Sequence, residues 1–356
     1  MLIKPIKIKT PKGIRKIGPG QPVFIVAEMS GNHLGSFSRA KKIISEAKKA
    51  GADAIKLQTF TPDTVTIDCQ NKYFQIKKNK LWQGRNLYDL YQEAYMPWDW
   101  QMALKKYADQ IGIVLFSFPL DTTAVDFLEK INIPLYKIGS FEVVDIPLLK
   151  RIGQTQKPVI MSRGMSTLNE LKLAVKTLKD NGAKDLIILQ CVSAYPCSPK
   201  EMNLNLIPDI AKRFKVVSGL SDHNLTNITA IVAVALGASV IEKHLTLSRA
   251  SGGPDATFSL EPKEFKQLVD SIRMIEKALG RPIYQPAQQE KPSIQFRKSL
   301  FVVKDINQGE KFTPDNIRSI RPGDGLAPKY YDQVMDKFAS RNIKRGTPVR
   351  WRLIKK

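Results

Sequence analysis

Two of the three histidines in the 356-residue chain, His223 and His244, each close a short apolar run, VVSGLSDH and SVIEKHLTL. The segment between them, NITAIVAVALGA, has helix composition and ends at a glycine suited to a helix C-terminus. The pattern predicts a β–α–β unit with one imidazole at the carboxyl end of each strand. Strand ends carry ligands and catalysis in parallel α/β folds, and two converging imidazoles suit a metal ion. A single histidine after a strand is more often a cap or a satisfied polar group. Two at equivalent positions, each with a carboxylate beside it (Asp222, Glu242), argue against that reading. Their separation of 21 residues (244 − 223) fits no local metal loop, so the fold has to bring them together.

The elements that would do so recur along the chain. Short β-branched runs at 22–30, 53–60, 113–119, 135–140, 158–164, 186–193, 216–223 and 239–247 alternate with amphipathic stretches such as SRAKKIISEAKKAG and TLNELKLAVKTLKDNG, each closed by glycine. Eight strands in strict alternation over about 250 residues predict an α/β protein, a (β/α)8 TIM barrel. A doubly wound open sheet fits less well, because no glycine-rich phosphate loop follows the first strand.

Barrel interiors are apolar except at the carboxyl ends, and here every run ends in polar residues. They are Glu28; Lys56 with Gln58; Ser117; Lys137 with Ser140 and Glu142; Ser162; Ser193; Asp222 with His223; and Glu242 with Lys243 and His244. A lysine inside DAIKLQTF or LYKIGS would cost several kcal/mol if buried unpaired. Lys56 and Lys137 therefore ask for an anion, a phosphate or a carboxylate, or else for a barrel glutamate such as Glu142. The connection 61–96 is too long for a simple βα loop. It reads as a small β excursion followed by a helix, with aromatics that pack on the barrel or roof its mouth.

Beyond a last barrel helix at about 262–280, RPIYQPAQQEKPSIQF reads as an extended linker. The expected division is a barrel over 1–280, a linker over 281–296 and a small β-rich domain over 297–356, its short strands separated by turns such as NQGE, RPGDG and KRGTP.

Composition narrows the classes. Hydrophobic content of 43% and charged content of 25% are those of a soluble globular protein, and no apolar run approaches the length of a membrane span. The N-terminus is basic without the apolar core of a secretion signal. Cys69, Cys191 and Cys197 form neither an even disulfide set nor a zinc spacing, which points to a reducing cytoplasm. The net charge of +23 is spread out, and its densest run (Lys77, Lys78, Lys80) is short. With no helix-turn-helix, RNA-binding signature or zinc finger, no nucleic-acid or membrane partner is expected.

The motifs AEMSGNHLG, DAIKLQTF, YKIGSFE, GLSDH, IEKH, GGPDATFSLEP and KDINQGEKFTPDNIRSIRPGDG resemble those of the bacterial sialic acid synthases, from about residue 18 to the end. AEMSGNH, the insertion around LWQGRNLYDLYQEAYMPW and SGGPDATFSLEP are most similar to the pseudaminic acid synthase branch. The resemblance implies a barrel joined to an antifreeze-like (SAF) domain. It also implies condensation of phosphoenolpyruvate with an amino-sugar aldehyde, 2,4-diacetamido-2,4,6-trideoxy-L-altrose in that branch, releasing phosphate. N-acetylneuraminate or legionaminate synthesis is the near alternative, and a metal-dependent pyruvate aldolase a more distant one. From another class, ice binding by the C-terminal domain is disfavoured, since that segment is rich in lysine and arginine rather than in flat threonine arrays.

The same resemblance implies a divalent ion, manganese first with magnesium or cobalt as alternatives, held by His223 and His244. It gives Lys56, Lys137, Ser140, Ser162, Ser221 and Ser193 to phosphate and carboxylate binding. Glu28 takes sugar positioning and proton handling, Glu142, Tyr195 and Asp255 the sugar side, and His33 the shaping of the mouth. Arg321 would reach into a partner's barrel, which implies a domain-swapped homodimer. The third strand departs from the family pattern: it reads FSFP, with Phe118 where a small hydroxyl residue is usual. Ser117 or a backbone amide would then have to supply that phosphate contact.

Overall fold

The computed structural model describes residues 3–78 and 81–355; Lys80, the last lysine of the short basic run, lies outside them. The chain divides into two compact units, Met1–Gly280 and Arg281–Lys356.

The first unit opens with a hairpin, β1 (Ile6–Thr10) and β2 (Gly13–Ile17), paired antiparallel. Eight parallel strands follow: β3 (Phe24–Glu28), β4 (Ala54–Thr59), β5 (Val114–Pro119), β6 (Tyr136–Ile138), β7 (Val159–Ser162), β8 (Leu186–Cys191), β9 (Val217–Asp222) and β10 (Val240–His244). They close in sequence order, β10 pairing back onto β3, so the barrel has no free edge. Helices link them: α1 (Phe37–Ala50), then α2 (Pro62–Val65), α3 (Leu87–Ala94) and α4 (Trp98–Ile111) in the long second connection. α5 (Thr122–Lys130), α6 (Ile146–Gln154), α7 (Leu168–Asp180), α8 (Leu206–Phe214), α9 (Ile228–Ala235) and α10 (Pro262–Leu279) complete the ring. Their ends follow local chemistry. Ser36 caps α1, whose far end is released by Gly51 at φ 91°, and Thr167 with Glu170 forms a capping box on α7.

Barrel strands are buried on both faces, and side chains alternate between them. Phe24, Val26, Ala54, Val114, Phe116, Leu135, Ile160, Ile187, Leu189, Val217 and Val240 form one cluster inside the barrel. Residues of the opposite parity, such as Ile25, Ala27, Ile55 and Ile241, pack instead with the helices. Ile6, Ile8 and Ile17 of the hairpin join the interior cluster and plug its amino-terminal end. Each such side chain contributes about 1.5–3 kcal/mol on burial. The N-terminal segment, which in sequence is simply basic, is thus a hairpin whose lysines alternate with buried isoleucines.

The second unit is built on β11 (Ser299–Val302) paired antiparallel with β12 (Ile317–Ile320), with isolated bridges such as Ile306–Ile343 and Ala339–Ile354 and one short helix, α11 (Tyr331–Val334). Leu300, Val302, Phe312, Ile317, Val334 and Val349 lie in its core. The stretch expected to be an extended linker is not wholly so: Gln288–Phe296 winds into 3-10 turns, and the Gly323 amide donates to Gln295 O at 3.0 Å.

Candidate active site

The alternation that seals the barrel floor with carbon brings a different layer to its carboxyl end. Continuing the inward parity leads from Val26 to Glu28, Ala54 to Lys56 and Gln58, Leu135 to Lys137, Ile160 to Ser162, Leu189 to Cys191, Val217 to Ser221 and His223, and Val240 to Glu242 and His244. All of these end residues line one cavity of about 410 Å³. Strand register makes Glu28 the neighbour of both Lys56 and His244, and Glu242 the neighbour of Ser221.

Charges are packed closely here. Lys56 Nζ lies 2.7 Å from Glu28 Oε2 and 3.5 Å from Glu242 Oε1, and Lys137 Nζ is 3.7 Å from the same Glu242 oxygen. Lys137 also donates to Ser162 Oγ at 2.7 Å, and Ser221 Oγ to Glu242 Oε1 at 3.2 Å. Burial works against the Lys56 ammonium, but Glu242 and Glu28 more than offset it and its pKa is raised. For Lys137 burial prevails over the pull of Glu242 and the pKa is lowered. Glu242, despite its burial, is held below the usual carboxylate range by Lys137 and Lys56. Burial pushes Glu28 up to about 7 in spite of Lys56, with Glu242 adding to the rise. The lysines' partners are therefore Glu28 and Glu242, rather than the Glu142 suggested by sequence.

His223 and His244 meet with ring centroids 5.4 Å apart. His223 Nδ1 is 2.8 Å from the Val192 carbonyl, and as donor there it leaves Nε2 with a free lone pair. Burial lowers the pKa of both rings, and His223 and Lys56 depress His244 further, so both are neutral imidazoles. His244 Nδ1 is buried without a partner, as is Glu242 Oε2. Two neutral, under-satisfied imidazoles fit a divalent cation. Among the described residues no group of three or more His, Cys, Asp and Glu side chains is arranged for a metal. An ion on this pair would keep open coordination positions, as a Lewis acid requires.

The other expected residues are distributed around this floor. Ser140, Glu142, Tyr195 and Asp255 line the cavity. Burial pushes Glu142 up to about 7 and raises Asp255, although the Gly31 amide donates to Asp255 Oδ2 at 3.0 Å. Tyr195 packs against His223 with ring centroids 4.3 Å apart and the planes tilted at 49°. Gly164 leaves room for the hydroxyls of Ser140 and Ser193: a Cβ there would lie 2.7 Å and 2.6 Å from them. Ser193 itself stands behind the lining, 4.0 Å from Cys191 Sγ. Arg321 belongs to the second unit, next after β12, with its side chain exposed. His33 is buried beside Trp100, its Nδ1 accepting from the Gly35 amide, and does not line the cavity.

Three polar strand-end residues point the other way. Ser117 is buried outside the barrel wall, its Oγ 2.6 Å from Thr59 Oγ1, so it supplies no contact in place of the missing hydroxyl. Phe118 faces inward, with Lys56 Nζ 5.6 Å from its ring centroid. Asp222 and Lys243 form a buried outer ion pair at 2.8 Å.

Sequence alone does not single out several of the lining residues as site residues. Glu242 and Gln58, which sequence marks as strand-end polar residues without giving them a role, and Cys191, which it passes over, are the inward-parity members of their strands, a signal that strict alternation supplies. Trp82 and Tyr91 come from the long second connection and do border the cavity, so part of its aromatic content roofs the mouth. The β excursion there is a short ladder, with Ile76 N donating to Arg85 O and Leu87 N to Phe74 O.

A closed parallel barrel with buried cations, paired histidines and unsatisfied carboxylates at its carboxyl end has the architecture of a barrel enzyme acting on anionic substrates. The chain belongs to the NeuB family, whose model matches residues 43–284, and a SAF domain follows at 297–355. It is 42% identical over 324 residues to the pseudaminic acid synthase of Campylobacter jejuni subsp. jejuni, covering 91% of this chain and 94% of that one. The Helicobacter pylori pseudaminic acid synthase is 40% identical over 331 residues, 92% and 97% of the respective chains. A crystal structure of N-acetylneuraminic acid synthetase from Leptospira borgpetersenii, in complex with citrate, superposes with a TM-score of 0.70 at 32% identity, covering 80% of this chain and 94% of the other.

Proposed function

We propose that this chain is a pseudaminic acid synthase, joining phosphoenolpyruvate to 2,4-diacetamido-2,4,6-trideoxy-L-altrose. C3 of phosphoenolpyruvate bonds to the sugar's aldehyde carbon, water supplies the oxygen of the new 2-keto group, and inorganic phosphate leaves. The observation that carries this reading is the pair of buried ammonium groups, Lys56 and Lys137, beside hydroxyls and two histidines at one strand-end layer. A trianionic substrate completes that layer: Lys56 and Lys137, with Ser162, Ser221 and Ser140, bind its phosphate and carboxylate, and Ser193 supports Ser140. In a site closed from water, these fixed charges also favour the charge that develops on departing phosphate.

Glu28, with a pKa near neutrality, is suited to exchange a proton at the aldehyde end of the sugar. Glu142, Tyr195 and Asp255 face the rest of the sugar. A divalent ion, manganese in our reading with magnesium or cobalt as alternatives, would be held by His223 and His244 and would polarise the aldehyde carbonyl. The unpartnered His244 Nδ1 supports that assignment. We place Arg321 over the site of a second copy in a domain-swapped homodimer. Its exposure fits that role, which sedimentation of the wild type and the sugar KM of Arg321→Ala would test. The three cysteines are free thiols and, among the described residues, no helix is long and apolar enough to cross a membrane; a cytoplasmic location accords with both.

The test is phosphate release from phosphoenolpyruvate with Mn2+, offering the altrose sugar, N-acetylmannosamine and the legionaminate precursor in parallel. Release with the altrose sugar alone is expected. Release only with another sugar moves the chain to another synthase branch. No release with any of them, in folded and metal-loaded protein, overturns the synthase reading and returns the aldolase alternative.

A further inference from the structure

Beyond Phe60, the long connection after β4 contributes six residues to the cavity wall, Ile76, Trp82, Leu87, Leu90, Tyr91 and Ala94, and none carries a charge or an amide side chain. Four of them sit on α3 at i, i+3, i+4 and i+7, the spacing of one helix face. The polar residues of that helix, Asp89, Gln92 and Glu93, are exposed, and Glu93 is paired with Arg85 at 2.6 Å. An amphipathic helix ordinarily buries its apolar face against the rest of the protein. Here Leu90 is buried, whereas Leu87, Tyr91 and Ala94 remain half-buried and border open space. Phe60, which meets Tyr91 edge-to-face with ring centroids 5.6 Å apart, and Leu120 extend the same carbon surface.

The contrast with the floor is chemical. Strand ends supply the cations, carboxylates and imidazoles, and the connection supplies mainly aliphatic and aromatic carbon, with the Tyr91 hydroxyl and the Trp82 indole N–H its polar groups. A ligand that fits both has a reacting, anion-adjacent end and a far end that terminates in carbon rather than in a hydroxymethyl. We infer that the wall formed by Ile76, Leu87, Leu90 and Tyr91 is the specificity element for the 6-deoxy end of the sugar, accepting its C6 methyl and disfavouring a hydroxymethyl there. This rests on the proposed reaction, because that reaction fixes the aldehyde at the floor and so directs C6 toward the wall. A hydroxyl against Ile76, Leu87 and Leu90 would lose its water and find no partner there, the Tyr91 hydroxyl being the one polar group of the wall. Apolar pockets reject an added hydroxyl by a factor of about 100 at most, so discrimination of about 10- to 100-fold is expected.

The experiment compares kcat/KM for the 6-deoxy sugar and its 6-hydroxy counterpart, using the full chain with Mn2+ and phosphoenolpyruvate. It is run on the wild type, Leu87→Asn and Ile76→Thr. Ile76→Thr keeps β-branching and removes little volume at a half-buried position, so it remains informative if Leu87→Asn does not fold. The wild type should prefer the deoxy sugar. Each folded variant should bring the ratio about tenfold closer to one, with the KM for phosphoenolpyruvate within twofold of wild type. A wild type indifferent to the 6-hydroxyl, or active variants with an unchanged ratio, would overturn this inference and leave the synthase reading intact. A wild type that releases no phosphate with any of the sugars overturns the synthase reading, and this inference with it.

Discussion

Two buried ion clusters lie one residue apart on the same pair of strands, β9 and β10, and they differ in how fully they are satisfied. On the outer face Lys243 donates to Asp222 Oδ2 at 2.8 Å, to the Thr226 carbonyl at 2.9 Å and to the Asn224 carbonyl. Asp222 in turn accepts from Thr229 Oγ1 at 2.8 Å and from the Asn224 amide at 2.9 Å. On the inner face Glu242 shares one oxygen among Ser221, Lys56 and Lys137 at 3.2–3.7 Å, while its other oxygen has no hydrogen-bond partner. Buried polar groups are normally satisfied, and each exception asks for a reason. The outer pair is complete because it holds the His223-bearing loop to the His244-bearing strand. In the proposed reading, the ligand completes the inner cluster.

The largest effects should separate these clusters by kind. Lys56→Met or Lys137→Met is expected to lower kcat/KM at least 1000-fold, of order 4 kcal/mol in transition-state stabilisation. Lys137→Met, whose burial outweighs its pairing, should do so with little change in Tm, whereas Lys56→Met also takes the ion-pair partner from Glu28. Lys243→Met should act on stability instead: it leaves Asp222 buried and unpaired, a loss of about 3–5 kcal/mol by urea denaturation. A Lys243→Met protein as stable as wild type would erase the distinction. Next in size, His223→Ala or His244→Ala should reduce Mn2+-dependent turnover at least 100-fold and abolish Mn2+ binding in calorimetry, with the far-UV spectrum unchanged. Retained Mn2+ affinity in either variant would remove the metal assignment.

A smaller effect concerns the sugar side. Glu142, pushed up to about 7 by burial, holds its proton more tightly folded than unfolded, where an ordinary glutamate has a pKa of about 4.3. Its burial therefore costs nothing below that lower value, costs more as pH rises through 7, and is fully costly above it. Glu142→Gln, neutral throughout, should stabilise the ligand-free protein by roughly 3–4 kcal/mol at pH 8, the gain shrinking toward pH 5. Thermal melts at the two pH values give the answer, and a pH-independent difference would mean that the carboxyl is not desolvated.

Much of this arrangement is legible in the sequence. Eight apolar runs mark the strands, and their polar terminations locate the site, because a barrel interior tolerates such residues only at one end. Parity is harder to see. IEKH reads as a group, yet Glu242 and His244 point inward and Lys243 outward, and only strict alternation from Val240 separates them. The hairpin is hidden because lysines interleave with Ile6, Ile8 and Ile17, so charge masks a period of two. The apolar wall cannot be read at all. Leu87, Leu90 and Tyr91 announce an amphipathic helix, but that its face borders a cavity depends on packing between segments distant in sequence.

The finest division is between two serines. Ser162, on the inward parity of β7, accepts a hydrogen bond from Lys137 at 2.7 Å, whereas Ser117, on the outward parity of β5, shares one with Thr59 at 2.6 Å. If parity alone sorts function from structure, Ser162→Ala should raise the KM for phosphoenolpyruvate about tenfold, the worth of one charge-assisted hydrogen bond, with little change in stability. Ser117→Ala should leave that KM within twofold and cost about 1 kcal/mol of stability, the net worth of one buried hydrogen bond. A raised KM in Ser117→Ala would mean that the outward hydroxyl tunes the phosphate end through the strand. Parity would then mark only which face a group occupies, and Phe118, its inward neighbour, would be the next residue to substitute.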